Sequence, residues 1–428
     1  MDLDAYRARA QAFATDHNRA HHRRFAGHGG PWDPAGLHAQ HAAGLFDDAS
    51  IDALRDAAAG DPDPTQPLRR LLRFAVEARL GAVTAAVDGD RAHAQAAEGW
   101  AEVTAQLAHE EEPAARIALE EQRLDIVTRR LSAPAAEGIE RVRAEARALG
   151  WPSARAMFSA LHGIDLGALA AEAEALLRVT EAPALDGAAA RFDLPRAHRA
   201  AWADPLLPAD PVVHLRAALA RLGLRERFAL DAAVRAGKSP RAFCAAIHVP
   251  DDVHLVVAPR GGLPDLEALF HEAGHALHLS ARDPAATFED RHLVDRAEAE
   301  ALAFAFEARA TDGIADPDGA LARHRAATEL LRTRHLAAAL LHDLDLLDSG
   351  PHPALRERYA RRMAGATGLT WPSAPWLVSG DPLLGRADYL RALGRARGLG
   401  RTDDLVAALS GGRSAVHQSD IDTRLEPG

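Results

Sequence analysis

A five-residue pattern near the middle of the chain has the residue types and the spacing of a catalytic metal site. Residues 271–275 read H-E-x-x-H and lie inside a Leu- and Ala-rich run, 266–279. Because residues four apart lie on the same face of a helix, His271 and His275 can hold one Zn²⁺ between them. Glu272 would lie beside the open coordination position, where its carboxylate can accept a proton from a water that attacks a carbonyl. The pattern therefore predicts a zinc hydrolase.

The alternative interpretation is that His271 and His275 are two core histidines with ordinary polar partners. In a chain with 22 histidines among 428 residues, chance supplies on the order of 0.1 such patterns. Two imidazoles on a buried helical stripe would also need partners to offset the loss of hydration. A bound metal ion meets that need, so the metal site is the favoured interpretation.

A catalytic zinc site usually has three protein ligands and one open position. A third histidine on the same segment would be expected six residues after His275, but that position is Ala281. The remaining common solution is an acid from a separate helix, and Asp295, Glu298 and Glu300 are within reach by sequence. Glu298 and Glu300 point about 200° apart on a helix, so only one of them can face the metal. Periodicity alone does not choose among the three acids.

A short β-branched run, 253–257, lies just before the motif and is bounded by Pro259. It predicts a strand, and Asp265 is a candidate cap for the helix that follows. An exposed edge strand at this place would pair with an extended peptide through His254, Leu255 and Val256 and hold the scissile bond over the metal. The alternative is a small hairpin that only covers the core.

Composition excludes several classes of protein. Hydrophobic residues make up 48% of the chain, which is ample for a folded interior, and the formal net charge is −11. A nucleic-acid binder needs clustered Lys and Arg, whereas the arginines here are interleaved with acids, as on solvated helical faces. We therefore expect no nucleic-acid partner.

Cysteine usage and the N-terminus predict the compartment. Cys244 is the only cysteine, so no intramolecular disulfide can form, and a lone thiol in apolar surroundings is interpreted as a small buried residue rather than a nucleophile. The start of the chain is acidic where a signal peptide would be basic, and no run approaches the length of a membrane helix. We expect a soluble cytoplasmic protein without a membrane partner, and the heavy use of Ala, Leu and Arg is typical of bacterial sequences.

The remaining elements are predicted to be helical scaffold. Apolar residues recur three and four positions apart through 68–149, which indicates amphipathic helices that pack on one another. A proline-rich passage, 183–211, marks a candidate boundary between two lobes. The sequence thus predicts a helical scaffold lobe over 1–205, forming a cleft wall, and a zinc-binding lobe over 206–428, or one continuous unit of both.

The stretch from Gly237 to Glu300 resembles the M3 family of zinc oligopeptidases, the group of thimet oligopeptidase and oligoendopeptidase F. Residues 237–244, GKSPRAFC, are similar to the segment before that family's edge strand. Residues 270–278, FHEAGHALH, are similar to its H-E-[FAL]-G-H-x-x-H core. Outside this stretch, the helical character of the chain agrees with the mostly helical fold of the family.

The resemblance implies roles for individual residues. In the M3 family the third zinc ligand is a Glu 25 positions after the second His, which is Glu300 in this chain, with Glu298 as the second choice. The resemblance also implies that Asp295 orients a ligating imidazole and that His278 supports the site from behind the ligands.

Tyrosines stabilise the oxyanion in the M3 family, near the C-terminal end. This chain has three tyrosines, and only Tyr389 has a context similar to the family's tyrosine-bearing helix. The resemblance implies that Tyr389 takes this role, although the usual segment with several tyrosines is missing. The loss of one such donor typically lowers the rate by about a hundredfold or more. Two alternatives therefore stay open: a zinc enzyme acting on a modified-peptide or non-peptide substrate, and a catalytically inactive helical binding protein.

Together these features predict a mainly α, two-lobed helical zincin fold with a deep central cleft and a small β-sheet next to the H-E-x-x-H helix. The predicted function is zinc-dependent hydrolysis of short peptides, with one Zn²⁺ and with Glu272 as general base. Nothing in the sequence predicts the oligomeric state.

Overall fold

A computed structural model describes residues 1–29, 32–60, 63–399 and 401–410 of the chain. These residues are mainly helical and contain one small sheet beside the H-E-x-x-H helix, so the predicted fold class is confirmed. The helices before the sheet are α1 (Leu3–Phe25), α2 (Pro34–His41), α3 (Asp48–Ala58), α4 (Pro67–Ala97), α5 (Trp100–His109), α6 (Pro113–Ile126), α7 (Ser132–Ala148), α8 (Ala154–His162), α9 (Leu166–Val179), α10 (Leu194–Arg199) and α11 (Pro211–Leu222).

The sheet and the motif helix follow directly. The strands are β1 (Ala229–Asp231), β2 (Phe243–His248) and β3 (Asp252–Val256), and the motif lies on α12 (Leu263–Ser280). The remaining helices are α13 (Phe288–His292), α14 (Arg296–Glu307), α15 (Ala320–Ser349), α16 (Ala354–Thr367), α17 (Gly385–Gly398) and α18 (Thr402–Leu409). No helix among the described residues is long and apolar enough to cross a membrane.

Strand β3 is the central strand of the sheet, and this corrects one expectation. The strand order is β1-β3-β2, with β1 parallel and β2 antiparallel to β3. His254 pairs with Ala229 on one side and with Ala245 on the other. Its neighbours Leu255 and Val256 are paired on both sides in the same way, so they have no free edge for an extended peptide. The prediction of a substrate strand at 254–256 is wrong for this reason, and β2 is the edge strand that lies next to the site.

A turn just before α12 fixes the start of the motif helix. Gly262 is the N-cap residue and has a positive φ of 96°. Asp265 accepts backbone hydrogen bonds from Gly261, at 2.7 Å, and from Arg260. Asp265 therefore closes the turn that precedes the helix but does not cap the helix itself, so its predicted role as the N-cap is wrong.

Helices α12 and α14 pack closely at the level of the motif. Phe270 and Phe306 are stacked, with ring centroids 5.4 Å apart. A Cβ atom on Gly274 would come within 2.8 Å of the Cα atom of Ala303, so only glycine permits this approach. The close contact brings the acids of α14 to the two histidines of α12.

The hydrophobic core crosses the predicted lobe boundary at residue 205. The largest cluster combines residues of the early helices α1, α3 and α4 with Leu340, Leu344 and Leu347 of α15. Helix α1 also reaches the later part of the chain: Arg7 pairs with the fully buried Glu289 at 2.8 Å. The second large cluster surrounds the sheet, α12 and α14. The division into two lobes stays a prediction.

Candidate metal centre

Three side chains from two helices meet at the motif. His271 and His275 extend from α12 and Glu300 extends from α14, and one ligand atom of each lies within 4.8 Å of the other two. Oε2 of Glu300 is 3.3 Å from Nε2 of His271 and 3.5 Å from Nε2 of His275. Among the residues that the structure describes, this is the one such group of three possible metal ligands.

The donor atoms fit a tetrahedral zinc ion. Bonds of about 2.0–2.1 Å to a tetrahedral centre place the ligand atoms about 3.4 Å apart, which matches the two short distances to Glu300. Oε2 of Glu300 is buried and has no hydrogen-bond partner among the described residues. A buried carboxylate oxygen without a partner is costly, and a cation between these three groups removes that cost.

The charges of this cluster depend on one another. Burial would raise the pKa of Glu300, but His271 and His275 lower it to about 2. Burial would lower the pKa of His271, but Glu300 and Glu307 raise it to about 9. The site therefore concentrates negative charge next to two imidazoles, which is the electrostatic environment that a cation occupies well.

Glu307 orients the first histidine. Its Oε2 atom lies 2.9 Å from Nδ1 of His271, and its Oε1 atom accepts a hydrogen bond from Arg332 at 2.7 Å. The contact holds the imidazole with Nδ1 toward Glu307, so that Nε2 faces Glu300. Sequence reasoning missed Glu307. The available signal was its position seven residues, or two helical turns, after Glu300, at the end of the apolar run 301–306.

Asp295 does not orient an imidazole, which corrects the role that the resemblance implied. Its carboxylate caps α14 by accepting from the Ala297 N–H, and it pairs with Arg391 at 3.1 Å and Arg395 at 2.7 Å. The residue begins α14 and ties it to α17. The position beside the ligating histidine belongs to Glu307, because that residue lies further along the face of α14 that carries Glu300.

Glu272 is held between α12 and the edge strand. Its Oε2 atom accepts a hydrogen bond of 2.8 Å from the backbone N–H of Cys244 on β2. Burial raises the pKa of Glu272. Burial, with a contribution from Glu272, also raises the pKa of the Cys244 thiol, so this group stays protonated and packs against the core around α12. A carboxylate fixed beside two metal ligands can take up and release a proton there.

Tyr389 lies on the same side of the molecule as the ligands. It belongs to α17, which packs on α14, and its ring centroid is 6.1 Å from that of Phe304. The side chain is 37% exposed. Burial first, and then the charge of Glu300, raise the pKa of Tyr389 to about 12, and Glu272 acts in the same direction. The phenol is therefore protonated at neutral pH and can donate a hydrogen bond.

His278 and His254 lie outside this group. His278 is 5% exposed, contacts Arg282, and has its pKa lowered to about 3, mainly by burial. His254 contacts Asp252 at 2.7 Å, and its ring lies 4.3 Å from that of His22 on α1. Neither contact involves a candidate metal ligand.

Comparison with known proteins shows a shared fold. No family model matches the sequence, and no curated protein matches it. Among solved structures, the chain is similar to one described as oligoendopeptidase F, with a TM-score of 0.55, 14% identity, and coverage of 88% of this chain and 78% of that chain. For the structure of PZ peptidase A with an inhibitor, the TM-score is 0.55 and the identity is 12%, with coverage of 89% of this chain and 78% of that chain. For a carboxypeptidase of Pyrococcus furiosus, the TM-score is 0.54 and the identity is 12%, with coverage of 95% of this chain and 88% of that chain. The chain thus has the helical fold of these peptidases.

Proposed function

We propose that the chain is a zinc-dependent metallopeptidase that hydrolyses short peptides. The observation that carries the proposal is the convergence of His271, His275 and Glu300 around a buried carboxylate oxygen without a hydrogen-bond partner, with Glu272 beside them. Two histidines and one glutamate form a common donor set of catalytic zinc sites. The shared fold with an oligoendopeptidase, a PZ peptidase and a carboxypeptidase supports a peptide substrate.

The residues around the ligands supply the other parts of the reaction. When bound, zinc would act as a Lewis acid and lower the pKa of water. Glu272, held by the Cys244 N–H, would accept the proton of the attacking water and pass it to the leaving amine. Tyr389 would donate a hydrogen bond to the oxygen that becomes negative.

The test compares metal content with peptidase activity. The purified protein is expected to contain about one equivalent of zinc and to hydrolyse members of a mixed library of quenched fluorescent peptides, and a chelator should abolish this activity. The Glu272→Gln variant is expected to keep its zinc and lose activity by about a hundredfold or more, because the proton acceptor is gone. Glu121→Gln, at an exposed position on α6, is the matched control and should keep both.

Two outcomes would contradict the proposal in different ways. A protein with full zinc content but without activity on any peptide would favour a modified-peptide or non-peptide substrate. A zinc content below about half an equivalent after gentle purification would favour a helical binding protein without catalysis.

A further inference from the structure

Three histidines from separate segments of the chain lie together outside the metal centre. His22 belongs to the last turn of α1, His28 follows that helix, and His254 lies on β3. The ring centroid of His22 is 4.3 Å from that of His254 and 5.5 Å from that of His28. The two histidines of the metal centre, His271 and His275, have ring centroids 4.9 Å apart. The spacing in this α1 histidine cluster is therefore similar to that of two imidazoles placed to share an ion.

Contacts outside the three rings hold the α1 histidine cluster in place. Asn18, one turn before His22 on α1, donates its side-chain amide to the carbonyl oxygen of Ala246 on β2, at 2.6 Å. The backbone N–H of His28 donates to the carbonyl oxygen of Arg23 at 3.0 Å, which closes the turn after the helix. The position of α1 on the sheet therefore does not depend on the ring contacts alone.

One imidazole of the cluster has no partner, and another is held by an acid. Nε2 of His22 is buried and has no hydrogen-bond partner among the described residues. This costs free energy that a bound ion would remove. Nε2 of His254 lies 2.7 Å from Oδ1 of Asp252. The contact leaves Nδ1 of His254 as the nitrogen available to an ion and increases its basicity, as acids behind metal-bound imidazoles do.

The charges around His22 favour a neutral imidazole next to a cation. Burial first, and then His254 and His28, lower the pKa of His22 to about 4. The ring is therefore neutral at pH 7, which is the form that binds metal ions. Asp231 and Asp252 act in the opposite direction on this pKa, because their carboxylates favour positive charge at His22. The carbonyl end of α1 adds partial negative charge at the same place.

We propose that His22 and His254 bind a second divalent ion of the class that prefers imidazole, such as Zn²⁺, and that His28 turns inward to become the third ligand. The donor atoms of the cluster do not all lie within 4.8 Å of one another, as those of the metal centre do. The side chain of His28 is exposed, however, and can rotate toward the other two. The ion would join α1 to the sheet, and the inference does not depend on peptidase activity.

The proposed site has no charged ligand. We therefore expect it to bind zinc more weakly than the metal centre does and to lose the ion during purification without added zinc.

Zinc titration of the metal-free protein tests the proposal. Calorimetry is expected to show two classes of site of about one equivalent each, and the tighter class is the metal centre. His22→Gln and His254→Gln should each abolish the weaker class, and retention of the tighter class shows that the variant is folded. His28→Gln changes an exposed side chain and should weaken the second class by at least about 10-fold, the loss typical of removing a group that only orients a ligand. His93→Gln, at an exposed position of α4, is the matched control and should change neither class.

Thermal unfolding gives a second readout that does not involve activity. Zinc beyond the first equivalent should raise the unfolding midpoint of the native protein, because the second ion binds only the folded state. This second rise should be absent in His22→Gln. Asp252→Asn should weaken the second class by about 10- to 100-fold, since His254 loses the acid that orients it.

Three results would overturn the inference and leave the metal centre intact. The first is a single class of zinc site in the native protein. The second is a weaker class that persists in both His22→Gln and His254→Gln. The third is an unchanged weaker class in both His28→Gln and Asp252→Asn. Glu300→Gln should lose the tighter class and keep the weaker one, whereas loss of both classes in this variant would contradict two independent sites.

Discussion

At the scale of single residues, the site depends on an acid that does not touch the metal position. Glu307 contacts His271 and Arg332 at once, so that its carboxylate joins the imidazole of a candidate ligand to a guanidinium behind it. Arg332 is itself held over the ring of Phe304, with its guanidinium carbon 4.8 Å from the ring centroid. This arrangement fixes the orientation of one candidate ligand and increases its basicity.

Removal of the Glu307 carboxylate should weaken metal binding without removing a ligand. Glu307→Gln is expected to lower zinc affinity by about 10- to 100-fold, because the imidazole loses its charged partner and its fixed orientation. Competition with a chromophoric chelator measures this change. Glu300→Gln, which removes a ligand, should show the larger loss of affinity, and Glu121→Gln should show none. Unchanged affinity in Glu307→Gln would contradict the role given to this residue.

At the scale of elements, the metal centre is a contact between two helices. Helix α12 contributes two candidate ligands and α14 contributes one, and the distance between the helices at this level depends on the missing side chain of Gly274. Helix α17 also packs on α14 and is tied to its start through the ion pairs of Asp295 with Arg391 and Arg395. The position of Glu300 relative to the histidines is therefore set by helix packing.

Gly274→Ala should separate the two helices. The new Cβ atom would meet the Cα atom of Ala303 at 2.8 Å, and backbone cannot move aside as a side chain can. We expect a loss of about 1–3 kcal/mol in the free energy of unfolding, measured by urea titration, together with weaker zinc binding.

Gly394→Ala on α17 is the matched control for this substitution. No atom lies within 4 Å of its added Cβ, so the variant should be neutral or more stable by up to about 1 kcal/mol, in line with the helix propensity of alanine. Equal stability of the Gly274 variant and the native protein would show that the helices can adjust.

At the scale of the whole molecule, several histidines outside the group of candidate metal ligands are half-buried or buried. Burial is the largest cause that lowers the pKa in each case, to about 4, for His21, His198, His292, His335 and His342. An ordinary histidine has a pKa of about 6.5. Between about pH 4 and about pH 6.5, these histidines therefore bind more protons in the unfolded chain than in the folded chain.

The metal-free protein should therefore lose stability as the pH falls from about 6.5 to about 4. The pKa values of these histidines are lower in the folded than in the unfolded chain, so the free energy of unfolding decreases as the pH falls through this window. Below about pH 4 these histidines are protonated in both states and cause no further change. Thermal unfolding followed by circular dichroism at pH 7.5, 6, 5 and 4.5 measures the change. His335→Gln should reduce the slope, and substitution of the exposed His93 by Gln should not. A midpoint that is constant between pH 7 and 5 would contradict the expectation.

Much of the site could be predicted from the sequence because its residues are close together along the chain. His271, Glu272 and His275 share one helical turn, so their spacing alone places both imidazoles on one face. The helical class follows from local periodicity in the same way. The third candidate ligand was harder to predict, because spacing alone did not choose among Asp295, Glu298 and Glu300. The family resemblance pointed to Glu300, and the structure brings Glu300 to the two histidines.

Only the tertiary structure decided the contacts between residues that are distant in the sequence. The place of β3 in the middle of the sheet depends on pairing with β1, which no local pattern reveals. Glu307, which the sequence did not single out, takes the role expected of Asp295, because the helix packing that sets which acid faces His271 is not encoded by spacing. Local periodicity determines which residues share a face, whereas the packing of faces on one another determines what each residue touches.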